Sequence, residues 1–571
     1  MNFMDVYGRI FLGGNKLSKI KNEIIRVIPL GGVGEIGKAM YVIEIDEDIF
    51  VVDSGLMFPE DEMLGVDIVI PDVTYLEENK DRVKGIFLTH GHEDAIGSIA
   101  YLLKKVQAPV YGSKLTIGLA KEHVKEQGSL KQVKFFEVTN KSRMNFDTTH
   151  VTFFHTTHSI PDALGIVFHT SEGAIVHTGE FKFDQSAKGS YRPDIAKMAK
   201  LGEDGVLMLL SDSTEAERPG YTTSEIVVAD HLQSEFRKAE GRILVSLYSS
   251  NFIRIQQVFD IARATGKKVA VVGKSLESSY EVGVRLGYLD AGEDTVISLK
   301  ELDDHRDEEI VIIVTGNQGE PLEALDKMVR KQHKDVRIKE TDTVLITFTP
   351  SPGMEVPMYQ TMNKLAKAGA HVLTSSKKVH VSGHGSQEDL KMMLNMMKPK
   401  YFIPIQGEYK MLIAHSKLAQ QVGLHKSEIF IADKGDIVEY KAGKVRMSGR
   451  VTAGNVLIDG IGIGDVGNIV LRDRKLLSQD GIFIVVVTLN RKQKKIASGP
   501  EMISRGFVYV RESEELMDES AKLVTKVVEK YVARDTFEWN NIKQEIRDTL
   551  NSYLFQQTKR RPMIIPIIME Y

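Results

Sequence analysis

The feature that most narrows the folds open to this chain is a change of rhythm. From about residue 24, short β-branched runs follow one another: "IIRVIPL", "AMYVIEI", "IFVVDSG", "VKGIFLTHGH", "APVYGS", "VTFFHTTHS" and "AIVHTGEF". Runs of this length and composition predict strands. Between about 217 and 372 helix alternates with strand, as in "TSEIVVADHLQSEFRKAEG", "RILVSLYSS" and "FIRIQQVFDIARATG". That alternation predicts a parallel sheet with covering helices. After 372 the first style returns, with "VHVSGHG" and "KYFIPIQGE" as strands around the helix "SQEDLKMMLNMMK". The middle segment therefore reads as an insertion into the first domain. Beyond about 450 a Gly-rich passage leads to strands "IFIVVVTL" and "GFVYVR", two long helical stretches and a last strand in "RPMIIPIIMEY", a small separate α/β domain.

A chain of 571 residues is too long for one core, and roughly three or four domains are expected. It has no cysteine, which excludes disulfides, thiolate ligands and cysteine nucleophiles. Any metal must be held by His, Asp and Glu. No run of about 18 apolar residues occurs and the N-terminus lacks an apolar core, so a cytoplasmic protein with no membrane partner is expected. The formal net charge of −4 neither requires nor forbids a polyanionic partner, since a basic groove can sit on an acidic protein.

One motif is a decoy. "GVGEIG", Gly32 to Gly37, fits G-x-G-x-x-G, and Asp53 lies where a ribose-binding acid would be expected. The dinucleotide loop needs a helix to begin there, so that its N-terminus faces the pyrophosphate. Here "KAMYVIEIDEDIFVVD" reads as two strands around an acidic turn.

The chemistry lies at strand ends. His90 and His92 end "GIFLTHGH", His158 ends "TFFHTTH", Glu180 ends "AIVHTGE", Asp212 ends "VLMLLSD", His384 ends "VHVSGH" and Gln406 ends "YFIPIQ". In α/β architectures this edge is where loops converge, so residues far apart in sequence can meet in one cleft. The H-x-H-x-D spacing of His90, His92 and Asp94 lets two imidazoles and a carboxylate reach one or two cations from a single loop. His155 and His177 lie within strands and read as structural. The Met stripe at 392, 393, 396 and 397 reads as core packing, and the basic runs Arg491–Lys495 and Lys559–Arg561 read as solvated faces.

The H-x-H-x-D loop resembles the metallo-β-lactamase superfamily, and the inserted segment with Asp212 and "HVSGH" resembles its nucleic-acid-processing β-CASP branch. The likeness extends to bacterial ribonuclease J over essentially the whole chain, through "LGGVGEIGKAMYV", "FPEDEMLGVD", "HSIPDALGIV", "HTGEFKFD", "LLSDST", "TGNQGEP", "HVSGHGSQE", "IQGEY", "SRGFVYVRES" and "TKRRPMIIPIIME". The resemblance implies an α/β fold: a metallo-β-lactamase αββα sandwich over residues 1–216 and 373–455, a parallel-sheet β-CASP domain inserted at 217–372, a linker at 456–482 and a C-terminal α/β domain at 483–571.

It also implies hydrolysis of RNA phosphodiesters with Zn2+ or Mn2+, as 5′-to-3′ exonuclease or endonuclease, in mRNA decay and rRNA maturation. His90, His92 and His158 match ligands of a first cation and Asp94 a ligand of a second. Three positions depart from the family pattern: Ala95 stands in place of His, Glu180 in place of a bridging Asp, and Gln406 in place of His. One site remains equipped and the second is expected to be absent or weak, because Ala95 has no donor and an amide is a poor ligand. These departures match a catalytically degenerate paralogue of Gram-positive bacteria that works beside an active sister. Expected partners are therefore 5′-monophosphorylated single-stranded RNA, the active paralogue, and further copies in a homo- or hetero-oligomer, dimer or tetramer. His380, Val381, Ser382, Gly383 and His384 match a phosphate-gripping loop, with His384 a proton donor beside Asp212, and Ser250 and Asn251 match another RNA-contacting turn. A noncatalytic RNA-binding and assembly subunit is the competing function. A small-molecule metallohydrolase would share the loop but gives no reason for the insertion.

Overall fold

The computed structural model describes residues 23–60, 62–128, 133–316, 321–350, 354–374, 380–460, 462–490, 493–509, 512–533 and 538–570. Asn317 to Glu320 of "TGNQGEP", Val510 and Arg511 of "SRGFVYVRES", and Arg491 and Lys492 of the first basic run lie outside them.

Two sheets form the first domain. One runs Lys444–Arg450, Asp436–Lys441, Ile25–Gly31, Met40–Ile45, Asp48–Val52, Val83–Phe87, Val110–Gly112, Phe135–Glu137 in spatial order. The other runs Tyr401–Ile405, Val206–Asp212, Gly173–His177, Leu164–Thr170, His150–His155, Arg143–Asn145. Successive side chains on a strand point to opposite faces, and both faces here are covered. Val27, Phe50, Val52 and Phe87 of the first sheet share one core with Phe153, Ile166, Phe168 and Leu210 of the second. The outer face of the first sheet, with Ile28, Val42, Val51 and Ile86, packs on helices Ile99–Lys105 and Lys114–Glu126. The outer face of the second, with Val167, Val176 and Leu209, packs on Ile195–Asp204, Gln387–Met397 and Tyr409–Gln421. This is an αββα sandwich. Met393 and Met397 are fully buried in it, with Met392 and Met396 against them.

Residues between the two parts of the sandwich form a sheet of five strands, all parallel: Lys268–Val272, Ile310–Val314, Ile243–Ser246, Thr343–Ile346 and His371–Leu373. Helices Glu225–Lys238, Phe252–Ala264 and Lys274–Leu286 cover one face, and Pro321–Val329 and Glu355–Lys367 the other. The first face is continuous with the sandwich core. Gly118 permits that approach, because a Cβ there would stand 2.7 Å from Leu286.

A second compact unit comprises Pro59–Ile68 and Leu457–Tyr571. Its sheet orders Lys495–Arg505, Ile482–Asn490 and Met563–Glu570. Phe483, Val485, Val487 and Leu489 alternate onto one face, against Val524 and Val528 of helix Glu514–Val532 and Ile542, Ile546 and Leu550 of helix Trp539–Thr558. The segment 456–482, read from sequence as a linker, carries helix Asn468–Asp480, and Arg474 of that helix donates to the carbonyl of Leu64 at 2.8 Å.

Two strand expectations are corrected. The described part of "GFVYVR", residues 506–509, is not a strand: the pairing strand is Lys495–Arg505 and stops before Gly506, whose φ of +69° breaks the extended conformation. "HVSGH" is irregular backbone, although the residues before His90, His158, Glu180, Asp212 and Gln406 do form strands. Three of its carbonyls are satisfied by side chains instead of a ladder. Lys182 Nζ donates to Ser382 O at 3.0 Å, His158 Nδ1 to Gly383 O at 2.8 Å and Thr222 Oγ1 to His384 O at 2.9 Å.

The inter-sheet core holds an aromatic cluster in which Phe168 lies 5.4 Å from Phe50 and 5.7 Å from Phe87, ring centre to ring centre. Phe168→Ala should cost about 3–5 kcal/mol, the usual price of an emptied aromatic site. Chemical denaturation read by the sandwich's own transition checks this.

Candidate metal centre

The direction of the strands builds the centre. In the second sheet, Gly173–His177, Val206–Asp212 and Tyr401–Ile405 are mutually parallel. His150–His155 also points the same way, through two antiparallel steps. His158, Glu180, Asp212 and Gln406 therefore leave one edge together. His90, past the end of Val83–Phe87, arrives from the other sheet: its Nε2 lies 3.3 Å from Glu180 Oε2.

His90, His92, His158 and Glu180 each offer an atom within 4.8 Å of all the others. Glu180 Oε2 is 3.1 Å from His158 Nε2, and His158 Nε2 is 3.0 Å from His92 Nδ1. Two ring nitrogens at that distance need a shared proton or a cation between them. Among the described residues His90 Nε2 has no hydrogen-bond acceptor, although Glu180 Oε2 is 3.3 Å away, and Asp94 Oδ1 is also buried without a donor. Three nitrogens and a carboxylate, close and under-satisfied, fit a transition-metal ion. Asp94 Oδ1 lies 3.8 Å from His90 Nε2, beside this group and outside it.

Supporting hydrogen bonds orient the rings. His90 Nδ1 donates to Thr89 Oγ1 at 2.8 Å, and Thr89 Oγ1 donates to Asp53 Oδ2 at 2.8 Å. Asp53 is thus an anchor for the His90 loop, fully buried with φ at +62°, and no helix follows the glycines of "GVGEIG". His158 Nδ1 donates to Gly383 O, which turns its Nε2 lone pair toward Glu180. Ser159 Oγ meets His92 Nε2 at 3.3 Å. Spacing along the chain signals none of Thr89, Ser159 or Gly383 O in these roles.

His384 joins the cluster from the irregular loop. Its Nδ1 donates to Asp212 Oδ2 at 2.8 Å, and its Nε2 lies 3.9 Å from Glu180 Oε2. Burial would lower this imidazole, but Asp212 and Glu180 outweigh it and push it up to about 10. It is an imidazolium at neutral pH. His380 is the reverse: burial, then the neighbouring Arg254, pull it down to about 3, and its Nδ1 has no partner among the described residues. Ser382 Oγ accepts from the His384 amide at 3.1 Å, and Val381 is buried. The start of helix Phe252–Ala264, which follows Ser250 and Asn251, meets the residue after His158: the amide of Ile253 donates to Ser159 O at 3.3 Å. Asn251 Oδ1 caps helix Phe252–Ala264 by accepting from Arg254 N at 3.1 Å. Ala95 is fully buried in the aliphatic core. Gln406 is buried with φ at +56°; its backbone carbonyl accepts from Ser213 N at 3.1 Å and its Nε2 has no partner among the described residues. His177 accepts from Gly179 N at 3.1 Å and packs on Tyr41.

Proton release reports which ligands bind. Burial works against charge on His90, yet Glu180, Asp94 and Asp53 push it up to about 9. Burial and the neighbouring imidazoles hold His92 well below the usual range, and burial holds His158 below it. Burial and then Glu180 push Asp94 well up. Near pH 7, uptake of Zn2+ by these four residues should release about one proton per ion, from His90, falling to about half a proton near pH 9, and the apparent affinity should rise with pH accordingly. Calorimetric titration in buffers of different ionisation enthalpy measures it.

With this geometry in hand, likeness to known proteins is informative. The chain matches the family models "Metallo-beta-lactamase superfamily" over residues 33–200, "Ribonuclease J, beta-CASP domain" over 240–365, "Zn-dependent metallo-hydrolase RNA specificity domain" over 369–432 and "Ribonuclease J C-terminal domain" over 469–571. It is 56% identical to Ribonuclease J 2 of Staphylococcus aureus (strain NCTC 8325 / PS 47) over 554 residues, 97% of this chain and 100% of the relative. It is 55% identical to Ribonuclease J 2 of Staphylococcus epidermidis over the same shares. A solved structure of a protein of unknown function from Enterococcus faecalis V583 aligns with a TM-score of 0.50 at 14% identity, covering 73% of this chain and all of that one, a likeness of fold alone. Metal-ready strand ends, a parallel-sheet insertion and matches along the length of the chain converge: the chain belongs to the ribonuclease J family, metallo-hydrolases of RNA built on the metallo-β-lactamase fold with a β-CASP insertion.

Proposed function

We propose that this protein is a cytoplasmic ribonuclease of low intrinsic activity. In this reading it holds one Zn2+ or Mn2+ and works on 5′-monophosphorylated single-stranded RNA, 5′ to 3′ with endonucleolytic cleavage as a second mode, in mRNA decay and rRNA maturation. It does so as a subunit beside an active paralogue, in a dimer or tetramer. The observation that carries this is the asymmetry of the centre: His90, His92, His158 and Glu180 converge, whereas Ala95 has no donor and Gln406 offers only an amide. When bound, the ion supplies Lewis acidity toward water and a phosphoryl oxygen. Asp94 with Ala95 and Gln406 is too poor a set to hold a second ion firmly.

The chain's own groups do the rest. Asp212 holds the His384 imidazolium by Nδ1, so its Nε2–H is free to give a proton to the departing ribose oxygen. Small residues at Ser382 and Gly383 expose backbone N–H groups to a phosphate, and in this reading the Asn251 amide is a further donor to the RNA. Glu180 has a longer stem than Asp, and one of its oxygens reaches toward His90, His158 and His384 together.

The second reading is a noncatalytic RNA-binding and assembly subunit, favoured by Ala95, whose methyl is part of the core. The two are separated by metal analysis of the purified protein paired with an assay on 5′-labelled RNA. His158→Ala should remove the ion and lower hydrolysis at least about tenfold; absence of both metal and hydrolysis in the wild type would leave the assembly role. Ala95→His, Glu180→Asp and Gln406→His together should raise the ion content toward two and increase hydrolysis, with Ala95→His alone costing about 1–3 kcal/mol of stability through overpacking.

A further inference from the structure

Lys182, in the turn after Glu180, is 1% exposed, and its ammonium has two partners. It donates to Glu225 Oε1 at 2.8 Å and to Ser382 O at 3.0 Å. Glu225 opens helix Glu225–Lys238 of the inserted domain, and its other oxygen accepts from Arg254 NH2 at 3.0 Å, on helix Phe252–Ala264. The Glu225 amide donates to Asp184 Oδ2 at 2.8 Å. Two cations and two carboxylates balance, so the cluster is not a phosphate site in its own right.

A buried ion pair is a poor source of net stability, because desolvation offsets most of the attraction. What it does supply is direction, and here the direction leads to the loop. Ser382 O is one of three successive carbonyls in irregular backbone, each held by one side chain. Next to it, Gly383 lies so close to the metal-facing ring that a Cβ would stand 2.7 Å from His158 Cε1. The loop must therefore be seated within a few tenths of an ångström for His158 to keep its orientation and for His384 to stay on Asp212.

Resting on the reading of this loop as the RNA-phosphate grip, we propose that Lys182 is a positioning residue: clamped between Glu225 of the inserted domain and the carbonyl of Ser382, it seats the Ser382–His384 turn against His158 and Asp212. The inserted domain thereby sets the geometry of the sandwich's own reactive edge. Lys182 touches neither RNA nor the ion.

The test uses the full chain with Lys182→Met, which leaves Glu225 paired to Arg254, and Lys182→Met with Glu225→Gln, which keeps the buried charges matched. Hydrogen exchange is followed by mass spectrometry, with Kd measured for a 5′-monophosphorylated oligonucleotide. The clamp requires amides of residues 381–385 to exchange at least about tenfold faster in both variants while the helices of the inserted domain exchange as before. It also requires the Kd for RNA to rise about tenfold and the affinity for Zn2+ to fall, as for lost supporting hydrogen bonds. Unchanged loop exchange overturns the proposal. So does recovery of wild-type loop exchange and RNA affinity in the double variant, since charge balance would then be the whole effect. Faster exchange throughout the sandwich, or failure of both variants to fold, makes Lys182 a brace of the fold and also overturns it. A wild type that neither takes up metal nor cleaves RNA defeats the functional reading, while loop exchange still decides the clamp.

Discussion

The centre depends on one buried carboxylate reaching three imidazoles. Burial alone would drive Glu180 toward its neutral form; the charges of His384 and then His90 hold it well below the usual carboxylate range. Without that charge, the rings of His90, His92 and His158 would be like groups crowded into a dry cleft, with ring centres 4.6–5.0 Å apart. The two sheets deliver these groups from opposite sides, so the packing of Phe50, Phe87 and Phe168 between the sheets is also what fixes the separation of His90 from Glu180. Core and chemistry are one mechanical problem.

Much of this was legible in the sequence, because it depends on local pattern. Apolar runs ending in His, Glu, Asp and Gln mark the strands and the edge at which they stop, and parallel strand direction does the gathering. The switch to helix–strand alternation marks the insertion. The helical face at Met393 and Met397 is visible in spacing alone. The two strands misread share a cause. "HVSGH" and "GFVYVR" have strand-like composition, but whether backbone groups pair with a ladder or with side chains depends on what lies opposite. Lys182, His158 and Thr222 are between 162 and 225 positions away from the loop they satisfy, and no window of sequence contains both.

The same blindness hides the supporting groups. Thr89 is an ordinary strand-end residue until Asp53, 36 positions earlier, is found to accept its hydroxyl proton. Asp53 itself carries a misleading signal, since its distance from "GVGEIG" imitates a nucleotide site while its carboxylate is spent on fixing a histidine. The recruitment of Pro59–Ile68 to the C-terminal unit is equally silent in the sequence, because membership of a core is decided by contacts and not by continuity of the chain.

The contact between Gly383 and the ring of His158 has a thermodynamic corollary. A carbonyl that steers one ligand belongs to the turn read as holding nucleic acid, so occupancy of either place biases the other. Linkage makes that bias mutual: whatever factor an ion adds to the grip on a transcript, the transcript must return to the ion in full. A nuclease built this way would keep its cation best while it is loaded and let it go most readily when idle.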